Sequence, residues 1–229
     1  VLLFLAGPNG SGKSSLFAEI DGLSPGRDFP FVNADLIARV LSGIPQADVL
    51  AQRIADVTRE HMLKQKASFA TETVFSDEVG AKLDFLRRAE EVGFHVVMIY
   101  VTLANVHLSR QRVAFRVKEH QGHDVPPDRL ERRFIASREN CRRALYRVET
   151  GLVLDNSSAD VDRALRLVAV VKKGQVAFRA DKVPAYVQQL LPVPSEPDVA
   201  ASIDKEAVRL SHSDSQFNNE RGRQWARTS

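Results

Sequence analysis

The chain has 229 residues, 44% of them hydrophobic and 27% charged, with a formal net charge of +3. That length fits one domain with a tail, or two small domains, and the composition is that of a globular protein rather than a disordered or collagen-like one. No stretch approaches the roughly 20 apolar residues of a membrane-spanning helix, the mild positive charge is too weak to point to nucleic acid, and the single cysteine, Cys141, rules out an intrachain disulfide and fits a cytoplasmic setting.

Residues 1–5 form a short apolar run that reads as a buried parallel strand. It is too short for a signal peptide and no basic segment precedes it. The chain begins with Val1 rather than Met, which leaves room for residues upstream. The run leads into Gly7-Pro8-Asn9-Gly10-Ser11-Gly12-Lys13-Ser14, the spacing G-x-x-x-x-G-K-S, and a helical segment follows over 14–20. Strand, glycine-rich loop and helix in that order make a phosphate site. The glycines let backbone N–H groups turn inward, and the helix N-terminus adds its own donors. Lys13 is spaced to reach the β- and γ-phosphates, and Ser14 to offer its hydroxyl to Mg²⁺. ATP or GTP is the expected ligand.

A loop is expected over 21–28 and a second strand over 29–33. Asp35 stands just past that strand. In open α/β sheets ligands bind beyond the carboxyl ends of strands, so Asp35 is either a reacting carboxylate or an N-cap for a helix over 36–41. Apolar spacing predicts a long amphipathic helix over 46–66, in which His61 is a surface or packing residue. A third strand over 67–73 ends in Thr71, Glu72 and Thr73. Glu72 is thus a second acid at the same rim, or part of a turn cluster.

The spacing predicts a helix over 77–92, closed by Gly93, and a central buried strand over 94–101 with His95 at its far end. Residues 105–147 change character. They carry ten arginines, Arg112 and Arg116 among them at helical spacing, in two helical pieces separated by 121–127. Arginines on a mobile cover can stabilise a moving phosphoryl group. Most of these, being interleaved with acids, are expected to be solvated. Few aromatics accompany them, so a stacking platform for nucleic acid is not expected. A short strand over 152–154 ends in Asp155-Asn156-Ser157. A helix over 159–170 and a strand over 175–179 follow. Beyond 181 the chain is Pro-rich, then polar, and is expected to be a poorly ordered or docking extension, with a short helix near 203–210.

The chain resembles the zeta toxin family of P-loop kinases. The resemblance rests on the phosphate loop, Asn33-Ala34-Asp35, Thr71-Glu72-Thr73, Arg112 with Arg116, Gly122-His123-Asp124-Val125-Pro126, Arg132-Arg133 and Asp155-Asn156-Ser157. It implies an ATP-dependent kinase that phosphorylates a small-molecule hydroxyl, in zeta toxins the 3′-hydroxyl of UDP-N-acetylglucosamine, and by analogy an antitoxin-like partner. It also implies site roles. Asp35 would be the catalytic base, with Lys13, Arg116 and Arg133 acting on the phosphates. ATP would contact Gly7, Pro8, Asn9, Gly10, Ser11, Gly12, Lys13, Ser14, Ser15, Arg116 and Asn156, and the acceptor Asn33, Asp35, Glu72 and Thr73. Two positions depart from the family pattern. Val74 replaces a second threonine and bears on acceptor contacts, and Gln121 replaces a glycine before Gly122-His123 and bears on the stiffness of the cover.

The expected architecture is therefore an α/β P-loop domain over 1–180. It has a mostly parallel sheet of about five strands, an arginine-rich helical lid at about 105–147, and an extension over 181–229. A nucleotide or nucleic-acid end kinase is the alternative enzyme. A non-catalytic ATP-binding module governed by a partner protein is the alternative of another class.

Overall fold

The computed structural model describes residues 1–22, 29–119, 125–158 and 165–193. The chain divides into two units, Val1–Pro192 and Val193–Ser229, and the fold described is that of the first. The readings for 121–124, including Gly122 and His123, and for 203–210 lie outside the described residues.

Five strands run parallel: β1 (Leu2–Ala6), β2 (Phe31–Val32), β3 (Phe69–Thr73), β4 (Val96–Thr102) and β5 (Thr150–Asp155). Two more, β6 (Arg166–Lys172) and β7 (Gln175–Arg179), add antiparallel on one side. The sheet order is β2-β3-β1-β4-β5-β6-β7. The parallel strands all end at one rim, and β6 begins there, since Arg166 lies opposite Asp155.

Alternation along the strands sorts the core into two layers. Leu2, Phe4 and Ala6 of β1, with Val96, Met98 and Tyr100 of β4, face one layer. It is closed by residues of α3 (Ala47–Lys64), α4 (Ala81–Glu91), α6 (Pro127–Leu145) and α7 (Ala185–Gln188). Leu5, Ala70, Ile99 and Val101 face the other, under Leu16, Phe17 and Ile20 of α1 (Lys13–Gly22). There Phe17 stacks on Phe31 with ring centroids 3.7 Å apart, a contact that adds about 0.5–1.5 kcal/mol beyond its buried area. The remaining helices are α2 (Ala34–Val40) and α5 (Val106–Lys118). Cys141 is fully buried on α6, and burial pushes its thiol well above the ordinary value.

The structure corrects the sequence reading at three places. The sheet has seven strands rather than about five. Within the stretch read as a helix over 159–170, residues 166–170 belong to β6, while 159–164 lie outside the described residues. β6 is rich in valine, and Val168, Ala169 and Val171 are fully buried against the open edge of β5. β-branched side chains pack well on a pleated surface, and pairing with an otherwise bare strand outweighs the weak helical spacing. The helix read from residue 77 starts at Ala81. Its first expected turn is held as a loop instead, because the Asn140 side chain donates to the carbonyls of Phe75 and Asp77.

Candidate active site

The rim is built from the ends of β1, β2, β3 and β5. After β1 the backbone makes turns that only glycine tolerates. Gly7 has φ +147°, and a Cβ there would lie 2.2 Å from the Val101 carbonyl oxygen; Gly12 has φ +92°, and a Cβ would meet the Asn156 amide nitrogen at 2.6 Å. The loop is pinned from three sides. Ser109 of α5 donates to the Asn9 carbonyl at 2.7 Å. Asn156, just past β5, donates to the Ser11 carbonyl at 2.8 Å. Lys13 Nζ donates to the Pro8 carbonyl at 3.1 Å. The arginine-bearing arm is thus built into the loop at its inner end, with Ser109 fully buried.

Across from the loop, Asn33 and Glu72 face it. The Asn33 side chain caps α2 by accepting from the N–H groups of Asp35 and Leu36, at 2.8 and 3.2 Å. It donates with its other end to Glu72 Oε2 at 2.8 Å. Asp35 therefore does not cap α2. It stands in the first turn, exposed, where the helix dipole favours a negative charge. Glu72 also accepts from the Ser14 hydroxyl at 2.8 Å, and its Oε1 lies 3.7 Å from Lys13 Nζ. The carboxylate of β3 is thereby drawn to the lysine and serine of the phosphate loop.

Lys13 is buried, and desolvation lowers its pKa from the ordinary value; Glu72 and then Asp35 oppose that shift, while Arg116 adds to it. Glu72, Asp35 and Arg116 therefore all act on the charge of Lys13. Arg133, half-buried on α6, is lowered by desolvation and by Arg129, and raised by Asp35. Arg116 thus bears on the charge of Lys13, and Asp35 on that of Arg133. Among the described residues neither arginine has an ion-pair partner, whereas Arg110 pairs with Glu131 and Arg132 with Asp128. The Thr73 hydroxyl accepts from the Phe75 N–H at 3.1 Å. Ser15 is exposed on the first turn of α1.

Several polar atoms around the loop are buried without a hydrogen-bond partner: Asn9 Oδ1, Ser11 Oγ, Asn156 Oδ1 and Arg116 Nε. Buried polar groups are normally satisfied; of these, Ser11 Oγ and Arg116 Nε can donate to a phosphate, while the two amide oxygens call for a donor such as water or an N–H. The Ser14 hydroxyl beside the Glu72 carboxylate is an all-oxygen pair suited to Mg²⁺, which takes few protein ligands and keeps several waters. No preformed cluster of three metal-ligating side chains exists among the described residues. No described helix is long and apolar enough to cross a membrane.

Sequence reasoning expected the loop, Asp35 and Glu72 at strand ends, and the structure sets them at one rim. It did not name Ser109, because a lone serine inside a helix carries no signal of what it touches. It grouped Asn33 with acceptor contacts; the structure adds that Asn33 caps α2 and donates to Glu72.

Solved structures share this architecture. The complex of AvrRxo1-ORF1 with AvrRxo1-ORF2, crystallised with sulphate ions, superposes with a TM-score of 0.64 at 18% identity, covering 86% of this chain and 66% of that one. The ATP-containing crystal of the same pair gives 0.63 at 18%, over 86% and 65%. A structure from the PezAT chromosomal toxin–antitoxin system of Streptococcus pneumoniae gives 0.53 at 13%, over 93% and 84%. This chain thus spans about two thirds of the length of the AvrRxo1-ORF1 structures. No curated protein matches its sequence. The Zeta toxin family model matches residues 1–164, from the first strand to just past the Asp155-Asn156-Ser157 turn, and the chain belongs to the zeta toxin family of P-loop kinases.

Proposed function

We propose that the protein transfers the γ-phosphoryl group of Mg-ATP to a hydroxyl of a small-molecule acceptor, with a nucleotide sugar as the first class to test. The observation that carries this reading is the Glu72 carboxylate, which accepts from the Ser14 hydroxyl at 2.8 Å and lies 3.7 Å from Lys13 Nζ, with Asp35 and Arg116 both acting on the charge of Lys13. A nucleotide-binding module needs the loop and the lysine. It has no need of an exposed carboxylate in the first turn of a facing helix, or of an arginine that has no ion-pair partner among the described residues.

In this reading the loop amides and Lys13 bind the β- and γ-phosphates, and Asn156 and Ser109 keep the loop open for them. Ser14 and Glu72 would hold Mg²⁺, which when bound neutralises charge on the phosphates. Asp35 accepts the proton of the acceptor hydroxyl as that oxygen bonds to the γ-phosphorus. The bond from the γ-phosphorus to the bridging oxygen breaks, and ADP leaves. Arg116 on the donor side and Arg133 on the acceptor side stabilise charge on the phosphoryl oxygens in flight. Asn33 fixes the first turn of α2 and hence the direction of Asp35. Thr73, with Asn33, Asp35 and Glu72, would line the acceptor shelf.

A protein partner belongs to the same proposal, because AvrRxo1-ORF1 is solved with ORF2 and the PezAT structure comes from a toxin–antitoxin system. The setting would be the cytoplasm, consistent with a buried, unpaired Cys141.

The deciding experiment incubates the protein with γ-labelled ATP and Mg²⁺ and a panel of UDP-sugars, nucleotides and hydroxylated metabolites. Label is expected in one acceptor class. Label recovered only as inorganic phosphate, or no turnover with any of the panel, would sink the proposal.

A further inference from the structure

The family match ends at residue 164, yet the compact unit runs on to Pro192. We propose that this remaining segment positions the phosphate loop, with Tyr186 as the positioning residue. The inference rests on the ATP-binding reading above and deepens it.

The topology places the residue. β6 leaves the active rim and β7 returns towards it, since Lys172 pairs with Gln175 at the far end and Ala169 with Arg179 nearer the rim. The chain then turns into α7, which is anchored by Val187, Leu190 and Leu191 in the main core. That anchor sets Tyr186 beside the end of β5. Its hydroxyl donates to Asp155 Oδ2 at 2.8 Å and lies 3.0 Å from Ser157 Oγ. Its backbone carbonyl accepts from Arg138 of α6. The residue is held at both ends.

Asp155 is the hub of the turn that follows β5. Its Oδ1 accepts from the Ser157 N–H at 3.1 Å and from the Ser157 hydroxyl at 2.5 Å. Arg166 Nη2 lies 4.0 Å from Oδ2, too far to replace the tyrosine as a hydrogen-bond donor. Between the two residues that Tyr186 braces sits Asn156. Its amide holds the Ser11 carbonyl and packs against Gly12 so closely that no Cβ fits between them. The relay is Tyr186 to Asp155 and Ser157, to the turn, to Asn156, to the phosphate loop. None of its members needs to touch ATP for Tyr186 to act. A side chain that locks the turn keeps Asn156 on Ser11, and so keeps the loop amides facing inward.

The test measures Kd for ATP and for adenosine, intrinsic ATP hydrolysis, and the melting temperature of the full chain. Tyr186→Phe keeps the ring and removes the hydroxyl. The expected result is ATP binding weakened about three- to tenfold, the size of one lost hydrogen bond, with KM raised to match and kcat within about twofold. Adenosine, which has no phosphates, should bind unchanged, and the melting temperature of the unliganded protein should hold. Ser157→Ala, which removes the other hydroxyl on Asp155, should weaken ATP in the same direction. The double variant should cost less than the sum, because both act through one turn. Unchanged ATP affinity in both variants overturns the proposal. So does equal weakening of ATP and adenosine, which would mark a general loss of structure. A parent protein that does not bind ATP overturns the kinase reading and this one together, whereas a parent that binds with both variants unchanged overturns only the role of Tyr186.

Discussion

The phosphate loop follows β1 and the shelf that carries Asp35 follows β2, with β3 between them, and the two are held in different ways. The loop is tied to α5 through Ser109, to the β5 turn through Asn156 and to β4 by the contact of Gly7 with Val101. The shelf hangs on β2, a strand of only two residues at the sheet edge, and α2 and α3 leave apolar side chains in solvent, Val40 at 85% and Val49 at 66% exposure. The proposed donor side is thus preorganised by glycine backbone packed against β4 and by side chains brought in from two further elements. The acceptor side is set by a few polar side chains, and its outer face is open. A rigid cradle suits the phosphates of the proposed donor, and the open shelf leaves room for the proposed acceptor.

Breaking the donor side should be absolute. Gly7→Ala drives a Cβ into the Val101 carbonyl at 2.2 Å, in a backbone region that side chains rarely adopt. Neither partner is a flexible tip, so the loop must move. ATP affinity should fall by more than about a hundredfold, which corresponds to roughly 3 kcal/mol, as read by calorimetric titration. Retention of affinity within about tenfold would show that the cradle is softer than its contacts imply.

Breaking the acceptor side at Asp35 should leave that cradle intact. Asp35→Asn keeps the shape and removes the proton acceptor. With the true acceptor, kcat should drop about 10²–10⁴-fold, the usual worth of a positioned general base, while Kd for ATP stays within about twofold. A kcat close to that of the parent would remove Asp35 from the chemistry. A large rise in Kd for ATP would place it on the donor side.

The extent to which this asymmetry could be read in advance follows from the same physics. The donor side was legible because its requirement is local. Only glycines permit those turns and only a following Lys-Ser serves the phosphates, so spacing alone identifies it. Asp35 and Glu72 were legible because strand ends can be counted. The polar ties were not, because Ser109 lies 100 residues from the carbonyl it serves and Asn156 lies 145 from Ser11. Neither has a pattern in its own neighbourhood. β6 was misread for a related reason. Its environment is the bare edge of β5, which exists only once the sheet has formed.

A smaller effect separates the two sides by pH. Burial lowers the pKa of Lys13 from its ordinary 10.5. The neutral amine cannot attract phosphate, so ATP affinity should begin to fall below pH 10.5 as pH rises, while the circular dichroism of the fold is unchanged. A loss of about tenfold is expected across that window, the scale of a single charge-assisted hydrogen bond. Asp35→Asn should retain this alkaline limb. An alkaline limb that vanished with Asp35 would assign the titration to the wrong side of the rim.

The gentlest probe acts beneath the shelf. Arg59 of α3 is buried and pairs with Asp56 at 2.6 Å; its Nε donates to Thr71 Oγ1 at 2.8 Å, and that hydroxyl donates in turn to the Val32 carbonyl at 2.8 Å. This relay fastens the short β2 to β3 directly before Asn33. Thr71→Val has nearly the same volume and removes only the oxygen. It strands Arg59 Nε, which should cost about 1–3 kcal/mol in urea unfolding. Because the phosphate loop has its own ties, Kd for ATP should change little. Because Asn33 orients both Asp35 and Glu72, KM for the acceptor should rise a few-fold. If ATP and acceptor weaken equally, the two sides of the rim share one support and the asymmetry is lost. If only the acceptor weakens, the relay under β2 is the structural boundary between them.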